Sequence, residues 1–447
     1  MTEKNSEIKA FYLMLLTVTA ALGGLLFGFD IAIITGAGPF IQQHFRLSEL
    51  QLGWGFSSLL FGCIIGSAIA GRVTDVFGRR KILIVVAAMF AATSAGTALA
   101  PSFAIFAAVR LLGGLAVGAA SVVSPMYISE VSPARVRGRL VAAYQLSIVV
   151  GILTSYTTNY LLRGVGSANW RWMFLTGVVP STAFLVLLFL VPETPRFLFK
   201  AGRETEAAEV LRKIGGAEYA AGEMVQIRGS LSESGSRFRD LLRPELRKPL
   251  LVGFGLAVLV QISGINTIID YAPIILKSAG WKIDAALFST FVIGSVNFAF
   301  TLVSLRAIDR YGRKPLYLVG SAGMAVTLAL LAFTHVVHRF TGALVLLLIL
   351  AFIAFFAACI GPVFWTLLSE IFPNKIRGTA MSVPVFTQWT VNALVVWLFP
   401  WVFRHLGGAL TFGFLALMAL LQLIFTWAFV PETKNKSLEE IEKEWQS

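Results

Sequence analysis

Three ionisable residues fall inside long apolar runs of this 447-residue chain: Asp30, Arg110 and Asp270. A charge held at membrane depth costs several kcal/mol, so such residues mark proton relays, ion paths or ligand contacts. An aspartate that alternates between ionised and paired, and protonated and free, ties a proton to a change of conformation. Held permanently against a cation, the same residue would only stabilise packing. Four amides lie at the same depth: Gln145, Gln261, Asn266 and Gln388. An amide both donates and accepts, which suits a ligand rich in hydroxyl groups. Buried without a partner it costs several kcal/mol, so each must face a polar cavity or bond a neighbouring helix. Trp365 and Trp389 offer flat apolar faces on which a ligand could stack.

The elements that carry these residues follow from composition. Hydrophobic residues make up 57% of the chain and charged residues only 14%. A soluble fold averages about 45 to 50% apolar and about 25% charged, so a soluble enzyme, a coiled coil and a disordered chain are excluded. Each bilayer crossing consumes about 20 apolar residues. Apolar runs predict twelve spans, at roughly 11–36, 52–71, 82–100, 103–125, 140–162 and 173–191, then 250–275, 286–305, 315–334, 342–367, 379–402 and 408–430. Between the sets, residues 201–248 carry nine bases and eight acids and must lie outside the bilayer. Within that segment Glu204 to Ile214 reads as an amphipathic surface helix and Gly229 to Gly235 as a flexible joint. The first run is too long for the apolar core of a cleavable signal.

The net charge of +13 would raise nucleic acid as a partner in a soluble domain, but here the bases sit in short segments between apolar runs. Loops after spans 2, 4, 8 and 10 hold thirteen bases and the opposite loops seven, which predicts cytoplasmic termini and a cytoplasmic central segment. Cys63 and Cys359 both lie in apolar runs and suggest neither a disulfide nor a metal site.

Three sequence patterns occur twice. Asp75-x-x-Gly-Arg79 after span 2 recurs as Asp309-x-x-Gly-Arg313 after span 8; Glu130-x6-Arg137 recurs as Glu370-x6-Arg377; and Pro192-Glu193-Thr194 recurs as Pro431-Glu432-Thr433. Three collinear matches at nearly one offset imply two parallel six-helix halves, residues 1–200 and 249–447, joined by the linker 201–248. Transporters built from such repeats rock around a site near the bilayer midplane. The repeated acids and bases, with Arg196, suit a latch of ion pairs between helix ends that holds in one conformation only. Fixing topology needs only the bases, and the paired Glu130/Arg137 and Glu370/Arg377 add acids to them.

Taken together these motifs resemble the sugar porter family of the major facilitator superfamily, over essentially the whole chain. The resemblance rests on Gly28-Phe-Asp30, the two Asp-x-x-Gly-Arg loops, Arg110, Pro192-Glu-Thr-Pro-Arg196, Gln261-x-x-Gly-x-Asn266, Gly361-Pro-Val-Phe-Trp365, Gln388-Trp389 and Pro431-Glu-Thr433. It implies an all-α membrane protein with the major facilitator fold, a monosaccharide carrier without a cofactor, and a functional monomer. It further implies that Asp30 and Arg110 lie on neighbouring helices. Proton symporters of the family have Asp at the position of Asp30, which favours symport over passive uniport.

The chain departs from the family at Val260-Gln261, where two glutamines are usual, and at Asp270-Tyr271, where two tyrosines are usual. Asp270 follows Asn266 by four residues, on one helical face, and could bind substrate hydroxyls, carry a proton, or favour an amino sugar. It could equally be a solvated carboxylate near the outer mouth. A membrane enzyme has only His335-x-x-His338 to build on, with no acid beside it, and no phosphate loop is present. A drug antiporter would line its cavity with apolar groups, against the four amides, and a sugar sensor would need longer tails. The lone Asn435-Lys-Ser437 acceptor is predicted cytoplasmic, which fits a bacterial inner membrane.

Overall fold

The computed structural model describes residues 2–232, 246–337, 340–372 and 377–434. All regular secondary structure among the described residues is helical. In lipid this follows from the backbone, since a helix satisfies its own N–H and C=O groups without water. The first half of the sequence contributes α1 (Thr2–Phe45), α2 (Glu49–Phe77), α3 (Arg79–Leu99), α4 (Phe103–Val131), α5 (Ala134–Leu162), α6 (Asn169–Leu175) and α7 (Val178–Leu190). Three shorter helices follow, α8 (Pro195–Lys200), α9 (Glu204–Gly215) and α10 (Ala217–Ser232). The remainder comprises α11 (Arg247–Ile262), α12 (Ile265–Asp270), α13 (Ala272–Ser278), α14 (Ile283–Tyr311), α15 (Arg313–Val336), α16 (Gly342–Cys359), α17 (Gly361–Glu370) and α18 (Arg377–Phe429).

Ten helical segments among the described residues are long and apolar enough to cross a membrane. The expected fifth span lies on α5, and the eleventh and twelfth share α18, which turns at Gly407 with φ 77°. Twelve crossings result. The seventh and tenth are broken: α11 gives way to α12 at Gly264, whose backbone is left-handed, and α16 gives way to α17 at Ile360. The first loop is shorter than the sequence suggested, because α1 continues to Phe45 and a capping box opens α2. There the Ser48 amide donates to Gln51 Oε1 at 3.0 Å and the Gln51 amide to Ser48 Oγ at 3.4 Å.

The expected surface helix is α9, whose Ala207, Val210, Leu211 and Ile214 are buried while its acids and bases face out. At its start Arg203 forks onto Glu206 and holds that carboxyl below the usual range. The expected joint at Gly229 is instead part of α10, with residues 233–235 outside the described set. A glycine inside a helix costs about 1 kcal/mol, a deficit that packing of α10 on α9 offsets.

Two compact units emerge. One comprises Met1–Ile31, Gly62–Ser155 and Arg171–Gly235; the other comprises Ala32–Phe61, Tyr156–Trp170 and Ser236–Ser447. In the first, α3 packs on α4 and α7, and α1 meets α5 at backbone distance: a Cβ on Gly28 would overlap the Ile148 carbonyl. Such small-residue contacts drive helix association where no hydrophobic effect operates. The core of the second unit is α18 against α11 and α15, with α16 between α14 and α15.

Candidate functional site

Asp30 on α1 and Arg110 on α4 meet within the first unit. Arg110 Nη1 donates to Asp30 Oδ1 at 2.7 Å and to the Asp30 carbonyl at 2.9 Å. Both residues are buried, with 9% and 2% of their surface exposed. Arg110 also sits over the Phe174 ring at 5.4 Å, a favourable place for a cation. Gly113, one turn beyond Arg110, leaves room for the second carboxylate oxygen: a Cβ there would stand 3.4 Å from Asp30 Oδ2. The pair can therefore hold or release one proton at a single carboxylate, with a fixed cation to take up the negative charge.

The second unit gathers the amide-bearing residues of the seventh and eleventh spans. Asn266 Nδ2 donates to Gln261 Oε1 at 2.8 Å, across the Ser263-Gly264 break. Gln261 is buried, Asn266 half-buried. On α18, Gln388 keeps a buried Oε1 with no hydrogen-bond partner among the described residues, and Trp389 beside it is buried. A buried unbonded carbonyl oxygen requires an explanation, and a ligand donor supplies one. Trp365 on α17 is 36% exposed and stands edge-on to Phe364. Asp270, the last residue of α12, is buried. Gln145 is half-buried on α5, in the first unit.

The repeated charges form the same clasp twice, once in each unit. Glu193 accepts from the amides of Arg79 and Arg80 at 3.0 and 3.1 Å, and Glu432 from those of Arg313 and Lys314 at 3.0 and 3.1 Å. Each carboxylate thus caps the N-terminus of a long helix, where orphan N–H groups and the dipole favour an anion. Arg79 binds Glu130 at 3.0 Å and Asp75 at 3.3 Å, and Arg313 binds Glu370 at 2.8 Å. In the second clasp Thr433 Oγ1 also donates to Glu370. The expected pairing of Glu130 with Arg137 is corrected. Arg137 donates to the carbonyls of Ser129 and Ser132 at the end of its own hairpin, because the turn at Ser132-Pro133 points its guanidinium back along α4. Arg196 is exposed beside Glu130, on a cavity of about 370 Å³ shared with Asp75, Arg79 and Lys200. The side chains of Asp309 and Arg377 lie outside the described residues, as does His338.

The clasp explains the glycine of its motif. Gly78 and Gly312 hold φ 95° and 90°, and a Cβ on either would overlap the carboxylate of Glu193 or Glu432. Gly312→Ala is expected to lose about 3 kcal/mol of stability in thermal unfolding of detergent-solubilised protein. Gly222→Ala, in open space on α10, should be neutral or stabilising by under about 1 kcal/mol.

Sequence reading missed a group of contacts at the opposite helix ends of the second unit. Glu49 pairs with Arg404 at 2.9 Å and Asp284 with Arg163 at 3.2 Å. Both acids open a helix, where their presence reads as ordinary dipole compensation and hides a long-range partner. Nearby, Trp397 Nε1 donates to the Leu50 carbonyl at 3.3 Å and its ring meets Trp54 at 5.6 Å. Tyr271 lies between Phe56 and Phe399, with ring centroids 4.5 and 5.2 Å away. A cavity of about 300 Å³ opens beyond these rings, bounded by Gln42, Glu49, Lys277, Phe403 and Arg404.

An all-α chain of twelve crossings with a duplicated clasp and a buried Asp–Arg pair defines a multi-pass carrier of the major facilitator type. The Sugar (and other) transporter family matches residues 16–445, and the chain belongs to that family; it is a transporter and not an enzyme. Among its relatives, the D-xylose-proton symporter of Escherichia coli (strain K12) is 37% identical, over 99% of this chain and 97% of that one. The arabinose-proton symporter of Bacillus subtilis (strain 168) is 38% identical, over 97% and 95%. The solved structure of the proton:xylose symporter XylE bound to 6-bromo-6-deoxy-D-glucose superposes with a TM-score of 0.81 at 36% identity, covering 98% of this chain and all of that one.

Proposed function

We propose that this protein is a proton-coupled monosaccharide symporter of a bacterial inner membrane, working by alternating access as a monomer with both termini cytoplasmic. The observation that carries the reading is the buried Asp30–Arg110 pair, an arrangement able to exchange a proton at membrane depth against a fixed counter-charge. Relatives named for D-xylose and arabinose symport with protons support it. The halves 1–200 and 249–447 rock about a site to which Gln145, Gln261, Asn266, Asp270, Gln388, Trp365 and Trp389 contribute. The linker 201–248 joins them. The clasp residues Asp75, Arg79, Glu130 and Glu193, flanked by Arg196, and their repeats Arg313, Glu370 and Glu432, with Asp309 by its motif, form the cytoplasmic gate.

Uptake into proteoliposomes of labelled pentoses, hexoses, polyols and amino sugars, with and without an inward proton gradient, tests the function. A sugar concentrated above equilibrium only under the gradient is the expected result; a sugar that merely equilibrates and ignores the gradient would make the protein a uniporter. Gln388→Leu should raise the KM of that sugar about tenfold with little change in maximal rate, through loss of one hydrogen bond worth about 1.4 kcal/mol. An unchanged KM removes Gln388 from the site.

A further inference from the structure

We infer that the cavity at the helix ends opposite the clasp of the second unit is a binding site of its own, for a monosaccharide that carries a carboxylate, such as a hexuronate. The inference goes beyond the symport reading and does not depend on proton coupling.

One wall of the cavity is a row of rings. Tyr271 stands 5.2 Å from Phe399 at an interplanar angle of 21°, and Phe399 stands 5.6 Å from Phe403 at 19°, so all three stack. Phe399 and Phe403 are one turn apart on α18 and therefore share a face. The Tyr271 hydroxyl is engaged by the Val396 carbonyl at 2.9 Å, which fixes the ring in the row. A pyranose has C–H faces that suit such a wall and a rim of hydroxyls that needs partners able both to donate and to accept. Gln42 of α1 is that kind of partner: half-buried on the cavity, its amide makes no side-chain hydrogen bond among the described residues.

The lining also carries unbalanced charge. Glu49 meets Arg404 at 2.9 Å through one guanidinium nitrogen, which leaves the rest of the fork open. Lys277, exposed at the end of α13, pairs with no acid among the described residues. Two cations against one carboxylate leave one positive charge in excess, and one anionic group balances it. A neutral sugar would leave Lys277 unanswered, and a small carboxylate would leave the rings and the amide unused. A sugar ring with a carboxylate meets every part of the lining. A volume of about 300 Å³ is at the small end for ligand pockets and suits a single ring. The amides assigned to the transported sugar, Gln145, Gln261, Asn266 and Gln388, do not line this cavity, so the two ligands need not compete.

Isothermal titration calorimetry of the purified full chain with D-glucuronate tests the site near neutral pH, where that carboxylate is ionised. D-Glucuronate should bind, and binding should persist in a saturating concentration of the neutral sugar that the uptake panel identifies. Lys277→Gln should weaken it at least about tenfold, as loss of one charge-assisted hydrogen bond dictates, while Lys277→Arg should hold it within about threefold. Neither variant should change the affinity for the neutral sugar. Acetate, which lacks the ring, should bind at least about tenfold more weakly than D-glucuronate. Absence of D-glucuronate binding, its displacement by the neutral sugar, or equal affinity in Lys277→Gln would each overturn the proposal. Since Lys277 is exposed, thermal unfolding of both variants should match the parent, and a Lys277→Gln loss that Lys277→Arg does not restore would also count against the site. Uptake that ignores a proton gradient would defeat the symport reading alone and leave the calorimetric result standing.

Discussion

Asp30→Asn should abolish concentrative uptake while the variant still exchanges sugar across the membrane. An inward gradient of about two pH units is worth about 2.7 kcal/mol per proton and supports up to about a hundredfold accumulation. Asparagine cannot carry the proton, so the accumulated ratio should fall to about one. Arg110 would keep its 2.9 Å bond to the residue-30 carbonyl but lose the 2.7 Å bond to a carboxylate, leaving a buried cation undercompensated. The double variant Asp30→Asn, Arg110→Gln removes that burden and should recover stability without recovering accumulation. Accumulation by Asp30→Asn at the wild-type ratio would make the pair a static element of packing.

Breaking the clasp should have the largest effect on stability. The side chains of Arg79 and Glu130 are 7% and 10% exposed, and removing one partner strands the other. Arg79→Ala and Glu130→Ala should each cost about 3 kcal/mol in thermal unfolding of the purified protein. Their double variant should cost less than the sum, with a coupling of about 1 to 3 kcal/mol. Arg137→Ala, which gives up only bonds to two backbone carbonyls, should lose no more than about 1.5 kcal/mol. Coupling of Glu130 to Arg137 larger than that to Arg79 would contradict the geometry described above.

The fold was readable in the sequence to a large degree because its determinants are local. Twelve apolar runs, a charged linker and three repeated motifs set helix number and connectivity, and no distant contact competes with them. Gly264 permits the break in the seventh span, since glycine reaches the left-handed backbone that it adopts. Partners across helices were less legible. Glu130 and Arg137 share one motif and looked paired, yet Arg79 wins Glu130 because α3 begins beside the end of α4 while the turn into α5 draws Arg137 aside. Glu49–Arg404 lies 355 positions apart, as the residue numbers show, and no spacing rule joins such residues. Of the amides, Gln261 and Asn266 stood out by their motif, whereas their mutual hydrogen bond depends on how the chain turns at Gly264.

The two clasps close on different lengths of chain: 51 positions separate Arg79 from Glu130, and 57 separate Arg313 from Glu370. Part of the surplus lies in α15, three residues longer than α3, and the rest toward the far ends of the hairpin α15–α16 and in the break before α17. A hairpin tied at its clasped end can thus lengthen at the other without disturbing the tie. For protein engineering this marks where the molecule accepts cargo. An epitope or small fluorophore-binding tag belongs between α3 and α4 or between α15 and α16, and the same insertion beside Gly78 or Gly312 would separate a helix from its carboxylate cap.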